Sequence, residues 1–383
     1  MKKIPNGRQL IDDLDLKSVA ETLKSDFLTT GPKILEFEKA FASYIGSKYA
    51  VAVSSGTAAI KVALKCLGIK AGDEVITQSF TFIATLEAII DVGATPIVIN
   101  VDDSLNMDVN ELESHITRKT KAIIPVHMLG VAAEISKINK IAKKYKIPVV
   151  DDNCEALGAK WGKDKLGIQS DICTWSFDNG KTITTGEGGM LTTNNKNLSL
   201  LFKEYRDHGH QNNPKFPRGR DTHRIYGFNF RTTEINAAIG IEQLKKLNFI
   251  VNENKKRYNI YKKELLKIKH IKLRRIPKAN IPLCDCIIFS INDLEIIRKI
   301  LTEFSKKNII TKNVPDAIEW HFARYWDHIF KEQKISKKQL KAKFKKSSYY
   351  LERSIAIPIF VKEPLKKTSK KAKELSQIIK SFL

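Results

Sequence analysis

The chain reads as an α/β protein built on a mostly parallel sheet with helices on both faces. Three observations predict this. Short apolar runs alternate with helix-spaced segments between Tyr49 and Asp152, which is the pattern of βαβ units. A run ending at Val53 passes through Ser54-Ser55-Gly56-Thr57 into a helix, a turn of the kind that closes a parallel strand. Finally, 383 residues exceed what one small core organises, so two domains are expected.

Taken in order, residues 10 to 50 carry helical spacing, and Leu35, Phe37, Phe41 and Tyr44 share a face after the Thr-Gly-Pro break at 30–32. Tyr49 to Val53 reads as a strand, and a helix starts near Ala58. Strands then follow at Glu74–Thr77, Pro96–Val101, Ala122–Val126 and Val149–Asp152, with helices at Thr81–Val92 and Ile135–Tyr145. After Met190 come a strand through Thr193 and a helix through Phe202 and Tyr205. Glu234 to Asn254 reads as a long helix leaving the large domain, the lysine-rich stretch 331–346 as a solvated helix face, and Ile355–Phe360 as a returning strand.

Composition excludes several classes. A hydrophobic content of 42% and a charged content of 28% are those of an ordinary globular protein. No run of eighteen apolar residues is present and Met1 to Gly7 lacks the apolar core of a signal peptide, so no membrane insertion and a cytoplasmic location are expected. The five cysteines are scattered and odd in number, which suggests no disulfide framework and no zinc site. The net charge of +24 would suit nucleic acid, but the lysines are spread along the whole chain without interleaved aromatics, so no nucleic-acid partner is expected. A positive field of this kind also attracts anionic small molecules such as nucleotide sugars.

The stretch Ser176 to Met190, Ser-Phe-Asp-Asn-Gly-Lys-Thr-Ile-Thr-Thr-Gly-Glu-Gly-Gly-Met, sets one lysine, Lys181, between an apolar run and a glycine-rich turn. Burial and neighbouring cations lower an ammonium's pKa, and the neutral amine is a nucleophile toward aldehydes. Ser55-Gly56-Thr57 before a helix is an anion site by its backbone amides, although many helices begin this way as a plain cap. Read alone, Phe82 is a core residue, and Asp152 is open between a helix N-cap and a buried carboxylate that needs a cationic partner.

Together these blocks resemble the DegT/DnrJ/EryC1/StrS sugar aminotransferases, whose pyridoxal phosphate (PLP) lysine lies in a Ser-Phe-x-x-x-Lys-x-x-Thr-Thr-Gly-Glu-Gly-Gly segment. The resemblance implies the fold type I of PLP-dependent aminotransferases, with a large PLP-binding domain over 1–250 and a smaller C-terminal α+β domain over 251–383, Lys181 as the cofactor lysine and Gly56, Thr57, Ala58 and Ser176 at the cofactor phosphate. It sets Phe82 on the pyridine face, Asp152 on the ring nitrogen and Glu155 near the ring's 3′-oxygen, and it puts Asn229, in Tyr226-Gly227-Phe228-Asn229-Phe230-Arg231, on the phosphate of a neighbouring subunit. It therefore implies a homodimer with a shared site, a keto-sugar acceptor, glutamate as amino donor, and no metal.

The polar loop 206–224 is too long for an idle connection. With the segment around residue 320 it offers His208, His210, Arg220, Trp320 and His321 as substrate contacts. The cofactor block looks like enzymes that aminate C4 of a nucleotide-linked 4-keto-6-deoxyhexose for surface polysaccharide. The Ser-Phe-Asp start of the lysine block, the Asp207-His208-Gly209-His210 loop and the Trp-His segment look more like the branch acting at C8 of a free 3-deoxy-octulosonate. A PLP-dependent sugar dehydratase and a non-catalytic regulator share the fold. Lys181 weighs against the first, and the intact cofactor set against the second.

Overall fold

A computed structural model of the chain describes residues 9–331 and 335–383. The first seven residues, on which the absence of a signal segment rests, and 332–334 of the lysine-rich stretch lie outside the described residues.

The large layer is a twisted sheet of seven strands: β1 (Tyr49–Val53), β2 (Glu74–Gln78), β3 (Thr95–Ile99), β4 (Thr120–Ile124), β5 (Val150–Asp152), β6 (Ile172–Ser176) and β7 (Gly189–Thr193). Their spatial order is β1-β7-β6-β5, continued through parallel bridges Ile123–Val149 and Val126–Asp152 to β4-β2-β3. All pairings are parallel except those of β7, which runs against both β1 and β6. The strands are short and nearly all buried, as expected when helices cover both faces.

Helix α1 (Asp13–Leu23) packs on a long helix described below. The next, α2 (Pro32–Ile45), starts with proline at its first turn and stops at Gly46, whose φ of 91° ends the helix in the left-handed region. Its buried face is Ile34, Phe37, Phe41 and Ile45; Leu35, expected on that face, is exposed. Phe37 and Phe41 meet Phe177 at ring separations of 5.3 and 5.5 Å, and Phe41 meets Trp175 at 5.4 Å. Edge-on aromatic clusters of this size are among the stronger packing units of a core. This one fixes the end of β6, from which the segment carrying Lys181 departs.

Helices α3 (Gly56–Cys66), α4 (Ala84–Asp91), α5 (Ile135–Tyr145) and α6 (Lys196–Tyr205) complete the layer. The sequence sets α4 three residues early, because Thr81 to Ile83 instead bond across to residue 320 and its neighbour through their backbones. Helix α7 (Glu234–Leu265) is eleven residues longer than expected and crosses the anticipated boundary at 250/251, so the two halves are joined by continuous helix.

Beyond it, β8 (Cys286–Ser290) is the centre of a three-stranded antiparallel sheet, pairing with β9 (Ser354–Pro358) on one side and with a two-residue strand at Lys272–Leu273 on the other. Helix α8 (Leu294–Lys306) and helix α9 (Leu365–Lys380) cover this sheet around a separate apolar core. A second core joins Phe80, Leu86 and Val126 of the large layer to Cys286, Val314, Phe322, Trp326 and Ala356. That shared core seats the small sheet over the carboxyl ends of the parallel strands.

Candidate active site

The carboxyl ends of β1, β5 and β6 open into a cavity of about 440 Å³, closed on one side by residues 312–321. Ligand sites of open parallel sheets form at such ends. The turn after β1 contributes Ser55, Gly56 and Thr57 to the wall. Ser55 caps α3, its hydroxyl accepting from the Ala58 amide at 3.1 Å, so the first amides of that eleven-residue helix face the cavity beside the Ser176 side chain.

Two glycines make the turn possible. A Cβ on Gly56 would stand 2.9 Å from Ser176 Cβ and 3.0 Å from Cys154 Sγ, and one on Gly189 only 2.2 Å from the Ser55 carbonyl oxygen. The Gly-Gly pair after Lys181 is thus the space in which β7 lies against the anion turn.

Asp152 ends β5 and is 3% exposed, yet it is well served: Thr85 Oγ1 donates to Oδ2 at 3.0 Å and the Cys154 amide to Oδ1 at 3.1 Å. The backbone bond is the cap-like turn open from sequence, and the side chain also faces the cavity. Glu155 accepts from the Leu129 amide at 3.1 Å, and its other oxygen lies 3.6 Å from Lys181 Nζ.

Burial pushes the Lys181 ammonium down as expected, but Glu155, Cys154 and Asp152 more than offset it and hold the group above its ordinary value. The expected depression is therefore corrected: Glu155 neutralises the buried lysine. Burial pushes the Glu155 carboxyl up, and Lys181, His321 and Lys312 outweigh it, bringing it down to about 2.

Across the cavity, His321 Nδ1 lies 2.8 Å from the Ala317 carbonyl, which only accepts. The ring proton is therefore on Nδ1 and the lone pair on Nε2. Burial lowers the His321 pKa, which keeps the ring neutral. His321 tilts against Phe82 with 5.4 Å between centroids, and Phe82 is 45% exposed at the cavity wall rather than a core residue. Lys312, paired to Asp285, and Asn313 complete that wall.

A model of the DegT/DnrJ/EryC1/StrS aminotransferase family matches residues 9–370. The chain belongs to this family. An uncharacterised Methanocaldococcus jannaschii protein is 36% identical to this aminotransferase over 94% of the chain and 93% of that protein. The GDP-perosamine synthase of Escherichia coli O157:H7 is 38% identical, covering 69% of this chain and 72% of its own length. That of Caulobacter vibrioides is 40% identical, covering 62% and 63%.

Among solved structures, Helicobacter pylori PseC, an aminotransferase of pseudoaminic acid biosynthesis, superposes with a TM-score of 0.88 at 25% identity over 99% of this chain and all of that one. Streptococcus pneumoniae Spr1654 superposes equally at 24% identity, covering 99% and 98%. The protein is a PLP-dependent sugar aminotransferase of fold type I.

The residues fit that cofactor. An aldehyde needs an amine, a phosphate needs the amides that glycine exposes, and a protonated ring nitrogen needs the buried carboxylate of Asp152. All three open onto one cavity. Of the sequence-derived site residues, Gly56, Thr57, Phe82, Asp152, Glu155, Ser176, Lys181 and His321 line it, and Ala58 is the amide behind Ser55.

Asn229 does not line this chain's own cavity; it is exposed, and its neighbour Phe230 accepts from the Ser54 amide at 2.9 Å. His208, His210, Arg220 and Trp320 also stand away from it. His210 faces Asp221 at 3.3 Å, and Trp320 is 61% exposed. Thr85, Cys154, Asp285, Lys312 and Asn313 went unnoticed in the sequence.

Proposed function

We propose that this aminotransferase moves an amino group from glutamate to the keto carbon of a nucleotide-linked 4-keto-6-deoxyhexose, for surface polysaccharide, as a homodimer in the cytoplasm. The observation that carries the reading is the meeting of Lys181, Asp152 and the α3 N-terminus in one cavity. The two GDP-perosamine synthases among the relatives support a nucleotide-linked acceptor. Of the features favouring a free octulosonate, Asp207 is taken up by Arg218 and Arg231, and Trp320 is exposed and does not line the cavity.

Bound PLP supplies an aldehyde carbon and a ring that accepts electrons from a broken C–H bond. Lys181 Nζ would be the amine for that aldehyde and, when free, the group that takes the donor's α-proton and gives it up to the cofactor in the donor half, then takes a proton back from the cofactor and delivers it to the former keto carbon in the acceptor half. Asp152 would hold the ring-nitrogen proton, and Thr85 and the Cys154 amide keep its carboxylate aimed. Ser55, Gly56, Thr57 and Ser176 bind the phosphate, and Phe82 covers the ring face. Asn229, on the strand-like segment beside Ser54, reaches the partner subunit's phosphate.

A dehydratase shares the fold at a TM-score of 0.82 and 23% identity; an amine at residue 181 favours transamination. The test is a screen of nucleotide-linked 4-keto sugars against 8-oxo octulosonate with glutamate as donor, read by product mass. Amination of a nucleotide-linked sugar supports the reading. Conversion of the octulosonate alone refutes it.

A further inference from the structure

Among the described residues that line the cavity, Lys312 is the only lysine or arginine besides Lys181. It enters from the small-domain wall, on the segment whose backbone bonds to Ala356 of β9, and its Nζ donates to Asp285 Oδ2. Both side chains are 17% exposed. An ammonium carries three N–H groups, and among the described residues Lys312 Nζ donates only the one to Asp285. Gly130, at φ +73°, makes room for this pair, since a Cβ there would stand 3.0 Å from Asp285 Oδ1. Burial works against the charge on Lys312, but Asp285, with Cys286 and Glu155 nearby, keeps the ammonium protonated.

Any substrate group with negative charge that enters this cavity beside Lys181 therefore meets one fixed cation. An amino-acid donor always brings such a group, because its α-carboxylate is one bond from the carbon whose proton Lys181 takes. A keto-sugar has hydroxyls at the corresponding positions, and its phosphates lie several bonds away from the reacting carbon. We propose that Lys312 binds the α-carboxylate of the amino donor and that Asp285 is the positioning residue that points it into the cavity. This rests on the transaminase reading above and assigns the donor half of the substrate class.

The probe is α-methyl-L-glutamate, which has no α-proton and so binds the holoenzyme without conversion. Its affinity is read from the change in the cofactor's visible absorbance. Removing Lys312 alone would strand a buried Asp285 charge, so the variant is Lys312→Gln with Asp285→Asn. Lys312→Arg serves as the charge-keeping control.

The double variant should keep its bound cofactor, bind α-methyl-L-glutamate about tenfold or more weakly, as loss of a charged hydrogen bond implies, and leave the acceptor KM within about threefold. Lys312→Arg should recover most of the affinity. Unchanged affinity in the double variant overturns the assignment, as does a loss confined to the acceptor or a wild-type enzyme that does not bind the probe. A failed acceptor screen with the donor effect intact would refute the acceptor reading alone.

Discussion

Replacing Glu155 with glutamine should make the cofactor-free protein take up PLP at lower pH. A carboxylate and an ammonium 3.6 Å apart attract by roughly 4–5 kcal/mol at the effective dielectric of about 20 suited to partly wet sites. Burial opposes that attraction, as does Lys312, while Cys154 and Asp152 add to it; the balance holds Lys181 above its ordinary value. An ammonium so held must lose a proton before it can react with an aldehyde. Removing one charge from Glu155 should move the midpoint of the uptake rate against pH downward by about one to three pH units, the usual span for a single close charge. The assay is the appearance of the visible absorbance after mixing cofactor-free protein with PLP from pH 6 to 10. An unchanged or higher midpoint in Glu155→Gln would refute the reasoning.

The sign for stability is separate. The Glu155 carboxyl, at about 2 in the folded chain, contributes stability present above its unfolded value and lost as pH falls toward 2. Urea midpoints for wild type and Glu155→Gln should therefore converge only as pH falls through about 2. Asn229→Ala should release PLP faster on dialysis by about tenfold, as a lost hydrogen bond to a charged group implies; an unchanged release rate would remove the shared-site argument. Gly189→Ala, whose Cβ would meet the Ser55 oxygen at 2.2 Å, should cost about 1–3 kcal/mol in urea unfolding and weaken phosphate-dependent PLP retention. Wild-type values for both would show that the turn has room to yield.

Much of the sheet was legible because its strands are short, apolar and punctuated. The strand Tyr49–Val53, and beside the sheet the helix Ile135–Tyr145, fall where the pattern sets them. The cofactor lysine was legible through its glycine-rich neighbours, whose spacing serves the contact between β7 and the anion turn. Leu35 misled, since helix α2 turns it to solvent while Glu38, polar and 5% exposed, bonds Arg206 inside. Lys312 and Asp285 were not legible. Each is one charge among many, and only the packing of the small sheet onto the cavity brings them to Lys181. The long loop at 206–224 looked like a substrate loop, but Asp207 with Arg218 and Arg231, and Asp221 with the amides of Asn212 and Asn213, give it an internal frame.

The sharpest test of the account exploits the two lysines that share the cavity. Borohydride reduction of the PLP-loaded enzyme makes the lysine–cofactor bond permanent, and peptide mass mapping then identifies the residue. The account predicts the label on Lys181 alone. A label on Lys312, or none, would contradict it.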